Sequence, residues 1–359
     1  MVETMKAWVL ENINNYNLKE IEEPVLAEGQ VLVNVKACGI CGSDIPRAFQ
    51  NGAHKMPLII GHEFAGEVVS VSKDADKFKS GDRVGIFPLI PCKKCGPCST
   101  KKYEMCRNYN YLGSRCDGGF AEIVAVPEWN LIKLPDNVSY KAAAMLEPMA
   151  VAVHAMRQLL SVGINSDSKI AIYGLGTIGL LLALFLRDAG IKNIYAIGNK
   201  DFQLETFEKL GFNVDNFCDS RKTDVDKWIM SITDNKGMDG FFECIGKSDT
   251  IAQTVDLTAP GGSICFVGNP FSDVIFPKNI YWKILRNQLK ISGTWNSSFT
   301  HDENDDWHYV LNRISAGSIN PEALITHEFD IEEIYQGFEI MRDKKEDYIK
   351  IMMSCSAGN

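Results

Sequence analysis

The segment from Cys38 to Glu63 reads CGICGSD, then a basic and aromatic run, then GHE. Cys41, His62 and Glu63 offer a thiolate, an imidazole and a carboxylate. A catalytic zinc takes such a donor set when it keeps one position open for a reactant. A thiolate on zinc is deprotonated outright, so the site also sets its own charge. A further ligand can come from far along the chain, and Glu147 in Met145-Leu146-Glu147-Pro148 is the best candidate. Its neighbours Ala142, Ala143, Ala144, Met149, Ala150 and Val151 are apolar, and a carboxylate buried among them without a partner is costly. Whether Glu63 or Glu147 touches the metal stays open at this point. Ser43, two residues after Cys41, is placed to take a proton from an alcohol held at the metal. Alone, Cys41 or His62 reads as an ordinary buried side chain, and His154 reads as a core histidine.

A second cluster follows in PCKKCGPCSTKKYEMC. Cys92, Cys95, Cys98 and Cys106 have the spacing C-x2-C-x2-C-x7-C. Four thiolates so close in sequence can close a tetrahedral shell around a structural zinc, with no room for water. An iron–sulfur cluster or a redox pair are the alternatives. The lysine-rich spacing, with no Cys-Pro after it, favours zinc.

A dinucleotide fingerprint lies further on. Lys169–Tyr173 is a buried strand pattern, then Gly174-Leu175-Gly176-Thr177-Ile178-Gly179 opens an apolar helix. The first glycine makes the turn, the second admits the pyrophosphate, and the third lets helix and strand pack closely. The helix N-terminus adds free amides and the positive end of its dipole. The next strand, Asn193–Ile197, ends in Gly198-Asn199-Lys200. An NAD site normally carries Asp or Glu there for the ribose hydroxyls. Glycine removes the acid, and Asn199 and Lys200 can donate to a 2′-phosphate, so the reading is NADP or NAD with NADP favoured. Asp201 serving as the ribose acceptor is the competing view, and Arg221 is a weaker second phosphate partner. Two later strands end in Cys244-Ile245-Gly246 and Val267-Gly268-Asn269; at the carboxyl ends of a doubly wound sheet, Cys244, Gly246, Val267, Gly268 and Asn269 are candidates to line the nicotinamide.

Elements that must hold these groups are legible too. Met5–Val9, Gly29–Ala37, Phe64–Ser72 and Arg83–Phe87 read as short strands punctuated by Gly and Pro, a compact β domain. Ser139–Leu160 reads as one helix with Ser139 as N-cap. Asp302–Ala316 and Ile331–Lys344 are amphipathic helices. The chain has 359 residues, 45% hydrophobic and 23% charged, which suits two α/β domains with cores of their own. A net charge of -9 excludes a basic nucleic-acid surface, so an anionic substrate needs a local cationic pocket. Eleven cysteines, clustered as C-x-x-C, suggest a reducing compartment, and the opening residues carry no signal-peptide pattern. The apolar run Ile170–Leu186 is read as strand, turn and helix and not as a membrane span.

Together Cys41-Gly42-Ser43-Asp44, Gly61-His62-Glu63-x-x-Gly66, the four-cysteine lobe, Glu147-Pro148 and Gly174–Gly179 resemble the zinc-dependent medium-chain alcohol and polyol dehydrogenases. Ile45–His54, and Gly113-Ser114-Arg115 with Asp117–Phe120, are most similar to the galactitol-1-phosphate 5-dehydrogenase branch, with sorbitol dehydrogenases as neighbours. The resemblance implies a GroES-like catalytic domain over residues 1–150 and 289–359, split by a Rossmann domain over 151–288. It also implies hydride transfer between a polyol or polyol phosphate and NAD(P), a cytoplasmic enzyme, and a homodimer or homotetramer. Three positions depart from the family pattern: Pro46 replaces a relay histidine, Ser72 a glycine, and Gly198 the acid of NAD users. Arg47, His54, Lys55 and Arg115 are the candidates to hold a substrate phosphate. A zinc-organised binding module, a metal-free quinone reductase, and a threonine or simple secondary-alcohol dehydrogenase are the rival readings.

Overall fold

The computed structural model describes residues 3–354, which divide into two compact units. The first comprises residues 1–147 and 298–359, and the second Pro148–Ser297.

In the first unit the organising strand is Gln30–Ile40. Its early half alternates buried and half-buried residues, the period of a one-sided strand, and it closes on a fully buried run from Ala37 to Ile40. It pairs antiparallel with Glu63–Val71 and with Ile123–Pro127, and its last residues pair antiparallel with Lys350–Ser354 from the far end of the chain. A smaller sheet sets Thr4–Asn12 between Asn15–Glu22 and Leu58–Ile59. The Asn15–Glu22 strand is absent from the sequence reading, because NYNLKEIE is polar and only weakly alternating; its hairpin partner and the left-handed Asn14 (φ 64) define it.

The core of this unit is aromatic. Phe338, on the helix Ile334–Asp343, is fully buried and meets Tyr16, Phe49 and Phe120 at centroid distances of 5.0, 6.4 and 5.3 Å. The Trp8 indole N–H donates to the Ile331 carbonyl at 2.6 Å. The C-terminal segment is thus locked onto the N-terminal sheets by rings and by one buried hydrogen bond.

The Ser139–Leu160 helix is in fact two, Tyr140–Ala144 and Leu146–Leu160, parted at Met145. Pro148 explains the break. It has no N–H for the Ala144 carbonyl, whereas the first turn of a new helix tolerates it. Ser139 caps as expected, its hydroxyl accepting from the Ala142 amide at 3.0 Å. The break falls two residues before Glu147.

In the second unit six parallel strands lie in the order Phe217–Asp219, Asn193–Gly198, Lys169–Tyr173, Met238–Glu243, Thr258–Phe266, Lys290–Gly293. In chain order that is 3-2-1-4-5-6, the doubly wound dinucleotide-binding arrangement. Lys169–Tyr173 is central and apolar on both faces, as a parallel strand covered by helices must be.

Phe338→Ala is expected to cost about 3–5 kcal/mol through the cavity it leaves, seen as a lower urea midpoint. Phe338→Leu is expected to cost less. A Phe338→Ala chain as resistant to urea as the parent would show that this helix does not anchor the unit.

Candidate active site

Two donor clusters occur among the described residues, both in the first unit. Cys41, His62 and Glu63 place their ligand atoms within 4.8 Å of one another, and so do Cys92, Cys95, Cys98 and Cys106.

The sheet register makes the first cluster. Cys41 follows directly on the Gln30–Ile40 strand, and Glu63 opens the neighbouring strand with Gly39 as its cross-strand partner. Gly39 is required there, since a Cβ on it would lie 2.5 Å from Glu63 Oε2. The Lys350 side chain runs past this glycine, its Cδ 3.4 Å from where that Cβ would stand. It is buried, donates to the Glu63 carboxylate, and donates to the Ile40 carbonyl at 3.1 Å. Burial disfavours a charged lysine, but the Glu63 and Cys41 charges outweigh it and hold Lys350 above its usual range.

Asp44 is wholly buried behind His62, with Oδ1 at 3.4 Å from His62 Nδ1 and 2.5 Å from Arg47 Nη1. The Cys41 amide donates to its other oxygen at 3.0 Å. Burial works against a charged His62 ring, yet the Asp44 carboxylate and the Cys41 thiol prevail and hold the imidazole well above its ordinary value. His62 Nδ1 is nevertheless buried without a hydrogen-bond partner. A carboxylate behind a histidine that faces a thiol and a second carboxylate is how metal-binding histidines are oriented. Cys41, His62 and Glu63 are electron-pair donors gathered within 4.8 Å of one another, a set that a cation can share. The donor set therefore suits zinc.

Ser43 Oγ donates to Cys41 Sγ at 3.3 Å and stays partly exposed. Glu147 is buried close by but stands outside the cluster of mutually near ligand atoms. Its Oε1 accepts from the Tyr111 hydroxyl at 3.2 Å, and the Tyr111 ring meets His62 edge-on at 5.8 Å. Burial, reinforced by the Glu63 charge, pushes the Glu147 carboxyl up to about 7.

The four-cysteine lobe passes a geometric test. Sulfurs at the corners of a tetrahedron with Zn–S bonds of about 2.3 Å lie about 3.8 Å apart. Here Cys95–Cys98, Cys95–Cys106 and Cys92–Cys98 are separated by 3.5, 3.9 and 4.0 Å, and all four are free thiols. The Arg107 and Cys98 amides draw the Cys95 thiol down to about 6, and burial pushes Cys98 up to about 12. Neighbouring sulfurs cannot all ionise without a cation to share.

In the second unit the fingerprint glycines stand at the carboxyl edge of the sheet. Gly174 has φ +99, and a Cβ on Gly179 would lie 2.0 Å from the Gly174 carbonyl oxygen, so turn and helix touch backbone to backbone. Leu175 and Gly179 are buried, while Gly176, Thr177 and Ile178 retain exposure at the start of the helix Thr177–Asp188. The loops Cys244–Gly246 and Val267–Asn269 come together here, because the amides of Val267 and Gly268 both donate to the Glu243 carbonyl. The wholly buried Glu243 carboxylate in turn accepts from the amides of Ile245 and Gly246 and from Thr250.

The sequence reading missed Lys350, Tyr111, Asp44 as the partner of His62, and Glu243. Asp44 carried a signal, standing inside the motif beside a prospective ligand. Lys350 carried none, since 287 residues separate it from Glu63.

With this geometry in place, comparison with known proteins defines the class. The chain belongs to the zinc-binding alcohol dehydrogenase family: the alcohol dehydrogenase GroES-like domain matches residues 27–136 and the zinc-binding dehydrogenase domain residues 177–316. It is an NAD(P)-dependent zinc enzyme of the alcohol and polyol dehydrogenase type. It is 30% identical to galactitol 1-phosphate 5-dehydrogenase of Escherichia coli, over 86% of this chain and 88% of that protein. It is 28% identical to sorbitol dehydrogenase of Bacillus subtilis, over 98% and 97%. The crystal structure of E. coli galactitol-1-phosphate dehydrogenase superposes with a TM-score of 0.89 at 28% identity, over 98% of this chain and all of that one.

Lys350→Met strips a buried carboxylate of its cation, and is expected to lower stability by about 3–5 kcal/mol. Adding Glu63→Gln should restore most of the loss, because the orphaned charge is then gone. Urea titration of both variants checks this; an undiminished midpoint for Lys350→Met would deny the pair its role.

Proposed function

We propose that the protein oxidises a secondary alcohol of a sugar-alcohol phosphate, with galactitol 1-phosphate as the leading substrate, to the ketose phosphate. Hydride leaves the carbinol carbon for NAD(P)+, and the hydroxyl proton leaves for solvent. In this reading residues 1–147 and 298–359 form the catalytic domain, and Pro148–Ser297 the dinucleotide domain.

Cys41, His62 and Glu63 hold the catalytic zinc, with Glu147 as a nearby carboxylate able to join them, and the four clustered cysteines hold the structural zinc. The catalytic ion supplies Lewis acidity, which makes an alcohol acidic near neutral pH. Asp44 fixes the His62 ring, and Lys350 fixes the Glu63 carboxylate. The Ser43 hydroxyl, which donates to the Cys41 sulfur, relays by turning to accept the substrate proton as it releases its own. With Pro46 in place of a relay histidine, the partly exposed Ser43 passes that proton to water.

The observation that carries the phosphate reading is Arg115. Its guanidinium lies 4.5 Å over the Tyr109 ring, Tyr109 meets Tyr111 at 6.1 Å, and Tyr111 meets His62. Its Nε is buried with no hydrogen-bond partner. A guanidinium anchored by stacking, and left with an unsatisfied donor, suits a phosphate oxygen. Arg47 is less suited because Asp44 already engages it, and His54 and Lys55 are exposed.

We also infer a homodimer. Lys290–Gly293 is the edge strand of the six-stranded sheet, and Tyr281, Trp282, Leu285, Ile291 and Trp295 are exposed beside it. An unpaired edge with large apolar neighbours suits a second copy placed by a two-fold axis. A cytoplasmic location agrees with the free thiols, and no helix among the described residues is long and apolar enough to cross a membrane.

An initial-rate panel tests the chemistry. Galactitol 1-phosphate should exceed galactitol and sorbitol in kcat/KM by at least tenfold, about 1.4 kcal/mol. Arg115→Gln should raise KM for the phosphorylated substrate while sparing the unphosphorylated ones. Equal use of all three polyols would replace the phosphate reading with a plain polyol dehydrogenase. Sedimentation velocity tests the assembly: Leu285→Glu should convert a dimer to a monomer, and a parent protein that already sediments as a monomer would sink the edge-strand pairing.

A further inference from the structure

The strand Ile123–Pro127 has one free edge. It pairs with Gln30–Ile40 alone, antiparallel, with Val33 opposite Val124 and Val31 opposite Val126. The Val35 amide donates to the Glu122 carbonyl at 2.8 Å, and the Glu128 amide to the Gly29 carbonyl at 2.9 Å. Antiparallel bonding alternates along a strand, so these two bonds fix its phase. Val124 and Val126 turn their backbone groups toward the Gln30–Ile40 strand, and Ile123, Ala125 and Pro127 turn theirs away. The outward amides of Ile123 and Ala125 have no partner among the described residues.

The edge opens at a fork. Up to Glu122 the chain is bonded to the strand Thr4–Asn12: the Trp8 amide donates to the Phe120 carbonyl at 2.9 Å, and the Glu122 amide to the Lys6 carbonyl at 3.0 Å. Beyond Glu122 the two strands part, beside a cavity of about 290 Å³. Met5 and Ile21 line it from the hairpin, Ile123, Ala125 and Pro127 from the free edge, and Ile59 and Leu112 add apolar surface. Its charged lining residues are Glu22 and Asp117, both exposed, and no lysine or arginine lines it. Edge strands are commonly blunted by a lysine, a central proline or a covering loop. Here Ile123-Val124-Ala125-Val126 is uncharged, and Pro127 stands only at the far end.

We propose that the cavity and this edge are a docking site for an extended peptide segment of a partner protein, added as a further strand on Ile123–Pro127 and carrying apolar residues in alternation with basic ones. The backbone repeat selects the occupant. The outward donors of Ile123 and Ala125 stand about 6.7 Å apart along the strand, the spacing at which a neighbouring strand presents its own carbonyls. The apolar lining receives side chains from one face of the added strand. Glu22 and Asp117 favour lysine or arginine at the alternate positions. No proposed zinc ligand lines the cavity, so docking is independent of the dehydrogenase reading.

The full-length protein is titrated with a fluorescein-labelled heptapeptide of alternating lysine and valine, followed by anisotropy. Amide hydrogen exchange is read at Ile123 and Ala125 with and without the peptide. The peptide should bind saturably and slow exchange at both amides at least tenfold. A counterpart methylated on every peptide nitrogen keeps the charge and the side chains, and should bind at least tenfold more weakly because it can no longer extend the sheet. Ala125→Pro removes an outward donor without touching the bonds to Gln30–Ile40. It should weaken the heptapeptide at least tenfold with the urea midpoint and dehydrogenase rate unchanged. Glu22→Lys, at an exposed position, should weaken it as well. Absence of binding, equal binding of the methylated peptide, or binding that leaves exchange at Ile123 and Ala125 unchanged overturns the strand-addition site; the last two mark diffuse attraction to an acidic chain. Protection of those amides before peptide is added also overturns it, and where that protection rises with protein concentration the edge belongs to a second copy.

Discussion

A buried carboxylate has to meet a positive charge, and the first unit contains three of them around one histidine. Asp44, Glu63 and Glu147 are all buried near His62, alongside the Cys41 thiol. Arg47 answers Asp44, and Lys350 answers Glu63. Glu147 accepts from a phenol, and burial beside the Glu63 charge makes it harder to ionise against the pull of His62 and Lys350. Left without a further cation, the arrangement would be a poor way to build a core, since desolvating ions costs more than isolated pairs return. The surplus of anionic donors makes sense once a divalent ion is counted among them.

That constraint reaches into the fold. The Gln30–Ile40 strand has to deliver Cys41 from one of its ends, and the cross-strand register has to set Glu63 opposite a glycine. Lys350 has to arrive from the last described strand, so the chain must return to this sheet after the second unit is complete. The aromatic contacts of Phe338 and the Trp8–Ile331 bond hold that return in place. The tail is therefore part of the site and not merely cover for it.

How far the sequence spoke depended on the distance between partners. Cys41, His62, Glu63 and the four cysteines declare themselves because metal donors recur at short spacing, and the glycines declare themselves because a tight turn admits nothing else. Parallel strands buried on both faces are apolar runs, so most of the second unit's sheet was legible, but the short Phe217–Asp219 strand was not. Asn15–Glu22 was not, because a polar hairpin arm takes its structure from its partner. The break at Met145 was missed although Pro148 stood in view; helical periodicity continues across it, and only the missing amide hydrogen bond parts the two helices. Lys350 could not be found at all. A lone lysine between Ile349 and Ile351 reads as a strand residue facing water, and nothing local says that a carboxylate waits for it.

Position 198 shows the same logic with the sign reversed. The sequence reads its glycine as the loss of an acid, which is only half of the physics. Gln203 and the Phe217 ring fill the volume that an acidic side chain would occupy, so the absence is built into the packing. Asp201 looks like a substitute acceptor in the sequence, one helix residue along, but Arg221 and Lys222 hold it from the neighbouring strand end. A residue type is a capacity, and which capacity is used depends on the charges that the fold brings beside it. At Glu63 the fold sets one cation beside a buried carboxylate, and at Asp201 it sets two beside an exposed one.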